Sequence, residues 1–131
     1  MADITVNRTA PVVDADLEVE LHDVFHVTQL TRGTALETEV GADHVVLEPH
    51  RTSKIHRHNL AETVLYVLDG TGVVVVGGTD PAVMAGARIR IRPGQVPGVR
   101  AGGTWLTFLS VQTPPILDEA TGRFDLEPLA E

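Results

Sequence analysis

The sequence predicts an all-β domain, a sandwich or barrel of short strands. Three observations predict it. No segment before Pro114 sustains a helical period. Short apolar or alternating runs recur between Gly and Pro turn signals. Hydrophobic residues make up 43% of the chain but aromatics only 4%, so valine and leucine must fill the core.

The elements follow in order. Residues 1–16 mix polar side chains with Pro11 and read as an N-terminal arm or edge strand. Leu17-Glu18-Val19-Glu20-Leu21 alternates apolar and acidic residues, as a half-buried strand does. Phe25 to Leu30 is a second candidate strand, and Val45-Val46-Leu47, stopped by Pro49, a third. Thr63 to Leu68 and Val73 to Val76 flank Asp69-Gly70-Thr71-Gly72 and read as a hairpin. Gly77 to Pro81 makes the next turn. Arg88-Ile89-Arg90-Ile91-Arg92 alternates and ends at Pro93-Gly94. Trp105 to Val111 is the last clear strand. The tail, 114–131, is acidic and broken by glycine, with room for one helical turn around Asp118-Glu119-Ala120.

The 131 residues suit one domain, which at this size buries about two-thirds of the surface of its unfolded chain. A formal charge of −8 repels phosphate backbones and acidic bilayers, which argues against nucleic acid and membrane partners. There is no cysteine, hence no disulfide or thiolate chemistry, which suits a reducing cytosol. The first residues show no basic region ahead of an apolar stretch, and no apolar run reaches spanning length. A cytoplasmic protein is the expectation.

The candidate chemistry centres on His56-Arg57-His58, with Glu62 four residues on. In an extended backbone, side chains two apart share a face, so both imidazoles can point together. Two neutral nitrogens and a carboxylate suit a divalent transition metal with positions left open. Iron, zinc, manganese and nickel all accept that set. His26, His44 and His50 lie near the motif, and His44 has the strand parity to join it. Arg88, Arg90 and Arg92 share one strand face. They suit a solvated face or a subunit contact against Glu18 and Glu20; alternatively, Arg90 reaches inward to bind a substrate carboxylate. Tyr66 and Trp105, the large polar-tipped aromatics, are candidates for packing or for lining a pocket.

These residues resemble the cupins, small double-stranded β-helix (jelly-roll) barrels with a metal in the mouth. The resemblance runs from Val45 to Val111. His56, His58 and Glu62 follow the family's first motif, and Tyr66-Val67-Leu68-Asp69-Gly70 its strand-and-turn ending. Gly86 with Arg92-Pro93-Gly94-Gln95-Val96 follows the second motif. Three departures stand out. His50 replaces the first motif's glycine. Seven residues rather than six separate Glu62 from Gly70, so counting back from the glycine puts Thr63 at the ligand position. A slip of one residue turns a side chain to the other face unless a bulge restores it. Pro97 occupies the place of the second motif's histidine and cannot bind a metal.

The resemblance implies a single cupin domain over residues 1–131, with its motif-bearing core at 45–111. It implies a homodimer that binds a metal through His56, His58 and Glu62 and acts on a small polar or anionic metabolite. Iron would imply oxygenation, and zinc isomerisation, cyclisation or elimination, as in tailoring steps of small-molecule pathways. Arg90, Tyr66 and Trp105 would bind substrate, with Tyr66 and Arg90 as catalytic candidates. The alternatives are a ligand-binding module without catalysis and a metal-free cupin that uses the barrel as a shaped pocket.

Overall fold

The computed structural model describes residues 10–57, 61–118, 123–124 and 127–128, and every regular element in them is a strand. In chain order these are β1 (Val19–His22), β2 (Phe25–Gln29), β3 (Gly41–Leu47), β4 (His56–Arg57), β5 (Glu62–Asp69), β6 (Thr71–Val75) and β7 (Ala82–Met84). They continue with β8 (Arg88–Ile91), β9 (Gly98–Ala101), β10 (Leu106–Thr113), β11 (Leu117–Asp118), β12 (Arg123–Phe124) and β13 (Glu127–Pro128).

A six-stranded sheet runs β1-β2-β3-β10-β5-β8, and a three-stranded sheet runs β7-β6-β9. Both are antiparallel. Their inner faces meet in one core, where Leu47, Leu65, Val67, Ile91, Leu106 and Phe108 of the large sheet join Val74, Val83, Val99 and Ala101 of the small one. Two short pairs, β11–β12 and β4–β13, complete the described structure.

Alternation decides which side chains enter. On β3 every odd residue from Gly41 to Leu47 is buried, and on β10 every even one from Leu106 to Gln112. On β5 the buried set is Thr63, Leu65 and Val67. Facing side chains lie one across from another on antiparallel neighbours. The register therefore puts Asp43, Ser110 and Leu65 in one row, with Val45, Phe108 and Val67 in the next. Phe25 closes edge-on against Phe108, with ring centroids 6.3 Å apart.

The structure corrects three sequence readings. The expected hairpin of 63–68 with 73–76 is absent: β5 pairs with β10 and β8, whereas β6 pairs with β7 and β9. The turn between them is a corner where the chain changes sheets. Gly70 makes it, with φ +87°, and a Cβ there would strike the Trp105 carbonyl. The third strand begins at Gly41, not Val45, because the polar Asp43 is an inward residue. The first strand is also turned over. Val19 and Leu21 are 60% and 65% exposed, while Glu20 and His22 on the alternate parity are the half-buried ones.

That inversion has a physical cause. Glu20 accepts hydrogen bonds from His22 Nε2 at 2.8 Å and Gln29 Nε2 at 3.0 Å, and lies 2.6 Å from Arg32 Nη1. Burial raises its pKa, but the bonds from His22, Arg32 and Gln29 outweigh that and hold the carboxyl below its ordinary range. A polar face with this many partners can be covered as readily as an apolar one.

Candidate functional site: a barrel cavity with one polar corner

Between the two sheets lies a cavity of about 90 Å³, several times the space one water needs. Most of its wall is apolar: Phe25, Val27, Val45, Leu65, Ile91, Pro97, Val99 and Phe108, with Ile116 and Leu117 from the segment after β10. Polar groups enter from His22, Asp43, Ser53, Ser110 and Gln112.

Three of these form one network. Gln112 Nε2 donates to Asp43 Oδ2 at 2.8 Å, to Ser110 Oγ at 2.7 Å and to the Ser110 carbonyl at 3.1 Å. Gln112 Oε1 in turn accepts from the Ile116 backbone N–H at 3.1 Å. The amide is thus read at both ends, which fixes which end faces Asp43. Gln112 is 1% exposed and Asp43 6%. Burial raises the Asp43 pKa; the Gln112 hydrogen bond and the field of His22 oppose that without overcoming it. Ser53 lies on a different part of the wall, where its Oγ accepts from the Val99 N–H and donates to the Lys54 carbonyl.

The residues singled out from the sequence fall elsewhere. Glu62 and Arg90 both project from the outer face of the large sheet, where Arg90 Nε donates to Glu62 Oε2 at 2.7 Å. Neither lines the cavity. β5 does carry a bulge, but at the other end, where Leu68 is the extra residue between the Val67–Phe108 and Asp69–Thr107 pairs. Glu62 therefore keeps its outward face, and the inward position beside it belongs to Thr63, fully buried. Tyr66 is on the same outer face, level with Arg88 and Leu109, and Trp105 is exposed just ahead of β10. The inward roles expected of Glu62, Arg90, Tyr66 and Trp105 do not match these positions.

His56 sits in β4, where its backbone pairs with Pro128. Its side chain and all of His58 lie outside the described residues. His44 has the wrong parity, between the inward Asp43 and Val45. His26 faces outward to Glu48 Oε2 at 3.2 Å, and His50 occupies an exposed turn with φ +63°. Pro97, in contrast, does line the cavity, at the position where the family resemblance calls for a ligand. The inward motif positions Pro97 and Thr63 supply no metal ligand, and no three histidines, cysteines or carboxylates cluster among the described residues, which leave out the side chains of His56 and His58.

His22, Asp43, Ser110 and Gln112 were missed by sequence reading. The signal was present: Glu18, Glu20 and His22 share one parity, as do Ser110 and Gln112 with Phe108. It was hidden because a polar residue at an inward position looks like a break in the pattern.

Comparison with known proteins agrees with this architecture. The profile of the cupin domain matches residues 43–111, and the chain belongs to that family. Solved structures share the fold at low identity. A predicted oxalate decarboxylase from Thermotoga maritima is 21% identical with a TM-score of 0.71, over 80% of this chain and 99% of that one. A cupin 2 conserved barrel domain protein from Salinispora arenicola is 16% identical with a TM-score of 0.65, over 92% and 91%. The oxalate decarboxylase of Bacillus subtilis is 17% identical with a TM-score of 0.69, over 81% of this chain and 29% of that one. No curated protein matches the sequence. No helix among the described residues is long and apolar enough to cross a membrane.

Proposed function

We propose that this cupin takes a small molecule into its barrel cavity and acts on it by proton transfer, with Asp43 as the acid–base group. The observation that carries this reading is a nearly buried carboxyl on the wall of an otherwise apolar cavity, where burial raises its pKa. A carboxyl raised in this way holds its proton to higher pH than an ordinary aspartate, which suits an acid–base role. The apolar wall supplies the shape that selects the ligand. An anionic metabolite loses its supposed anchor, because Arg90 is engaged with Glu62 outside.

Ligand-detected NMR screening of the wild type beside Leu65→Trp, which fills the cavity, tests the reading. Compounds that bind the wild type and are lost in the variant sustain it. Compounds retained by the plugged variant reject it.

A second reading rests on the His-x-His spacing in and after β4. A divalent iron, zinc, manganese or nickel ion would be held by His56 and His58, with Glu62 joining only on release from Arg90. It would supply a Lewis acid. Elemental analysis of the wild type, His56→Ala and His58→Ala tests this: loss of stoichiometric metal in both variants supports it, and a wild type free of metal after growth in metal-replete medium rejects it.

We also infer a homodimer. The support is the outward apolar pair Val19 and Leu21 on edge strand β1, with the exposed Glu18 beside it and exposed Arg88 and Arg90 on the opposite edge strand. A two-fold axis parallel to the strands would set the acidic edge of one copy over the basic edge of the other. Sedimentation should give a dimer for the wild type and a monomer for Val19→Glu.

A further inference from the structure

Asp43 has two carboxyl oxygens, and the protein uses one. Oδ2 accepts the Gln112 amide, while Oδ1 has no hydrogen-bond partner among the described residues, although the residue is 6% exposed and lines the cavity. Asp43 lines the cavity, so this second oxygen is free to take a hydrogen bond from a molecule held there. Its neighbour has a related opening. Ser110 Oγ accepts from Gln112, and its own proton has no acceptor among the described residues. One carboxylate lone pair and one hydroxyl proton thus stand side by side, since Asp43 and Ser110 are paired directly across β3 and β10. Gln112 cannot turn to fill either, because its carbonyl end is held by Ile116 N–H.

We propose that this corner recognises the hydrogen-donating head group, a hydroxyl or an amine, of a compact ligand whose apolar remainder lies against Leu65, Ile91, Val99 and Phe108. This rests on the cavity being the ligand site and adds what the ligand must carry. A hydroxyl head satisfies both openings at once, donating to Asp43 Oδ1 and accepting from Ser110. An amine head pairs with Asp43. With Asp43 ionised, a carboxylate head meets like charge and is rejected. Leu65, Ile91, Val99 and Phe108 offer nothing to a second polar group, and the other polar residues of the wall are already engaged, His22 with Glu20 and Ser53 with the Val99 N–H and the Lys54 carbonyl. One donor on a short hydrocarbon body is therefore the class that fits.

The test uses four probes of equal chain length: 1-butanol, butylamine, butyrate and 1-chlorobutane. Each is titrated at neutral pH into isotopically labelled full-length protein, with amide shifts at β3 and β10 followed by NMR. The expected result is that 1-butanol and butylamine bind about tenfold more tightly than 1-chlorobutane, the scale of one hydrogen bond to a charged group, with butyrate the weakest. Asp43→Asn should remove the advantage of butylamine over 1-chlorobutane. Ser110→Ala should weaken 1-butanol alone. Equal affinity for all four heads in the wild type overturns the head-group assignment and leaves the cavity reading in place. Absence of cavity shifts with every probe overturns both. The wild-type series decides the matter even where Asp43→Asn does not fold.

Discussion

Two carboxylates, Asp43 on β3 and Glu62 on β5, sit on strands that flank β10 and face opposite ways. Asp43 points inward, is nearly buried, and is held by a neutral amide. Glu62 points outward, is part-exposed, and is held by a guanidinium at 2.7 Å. By motif alone Glu62 is the functional one. By environment the candidate is Asp43, whose pKa burial raises. The difference shows that the sheet's two-residue period, not the chemical type of the side chain, decides which carboxyl faces the cavity.

That contrast can be broken or sharpened experimentally. The largest effect is expected from the frame that holds the inner corner. Leu47→Ala, at a fully buried site four residues along β3 from Asp43, should cost about 3 kcal/mol in urea unfolding, in the range for large-to-small core changes. Gln112→Leu should cost about 2 kcal/mol, because it strands both the Asp43 carboxyl and the Ile116 N–H. A Gln112→Leu protein as stable as the wild type would mean that the network does not organise the cavity.

Next in size come two pH effects of opposite sign. The folded state raises the Asp43 pKa, so ionisation costs the folded protein more than the unfolded one. Its favourable contribution is complete below the ordinary aspartate range and is lost as pH rises through the folded value. Asp43→Asn, which cannot ionise, should therefore gain on the wild type as pH climbs from acid to neutral. Glu20 has a lowered pKa, so its contribution is present above the ordinary glutamate range and disappears as pH falls. Glu20→Gln should be the less stable protein at neutral pH, with the gap closing on acidification. Denaturant midpoints for both variants across that range check the signs.

The smallest effect is expected outside. Glu62→Ala removes an exposed ion pair worth less than about 1 kcal/mol and should leave metal content and cavity binding unchanged. A loss of bound metal in that variant would restore Glu62 as a ligand.

Much of the architecture was legible in the sequence. The all-β class, the strands near β2, β5, β8 and β10, and the family were readable because aliphatic runs and Gly/Pro turns are local signals. The partner of each strand was not. Gly70 looks like the centre of a hairpin until the Trp105 carbonyl shows why the chain must turn away. The candidate site was harder still. Asp43, Ser110 and Gln112 are separated by up to 69 residues and are joined only by the β3–β10 register. Their inward facing depends on partners that no single strand contains. Val19 and Leu21 misled for the complementary reason: an alternating strand states that its two faces differ, but not which one is covered.

The placement of β10 has a consequence for how the chain comes together. β3 and β5 both take residues 106–113 as their neighbour, and neither pairs with the other among the described residues. On a ribosome, those two strands emerge with bare edges and wait for most of the polypeptide to be made before the seam between them can be filled. Such long-range closure is slow, and unpaired strand edges invite association between chains in the interval. A late-arriving strand at the centre of the sheet is thus where synthesis in a crowded cell would be most exposed to error.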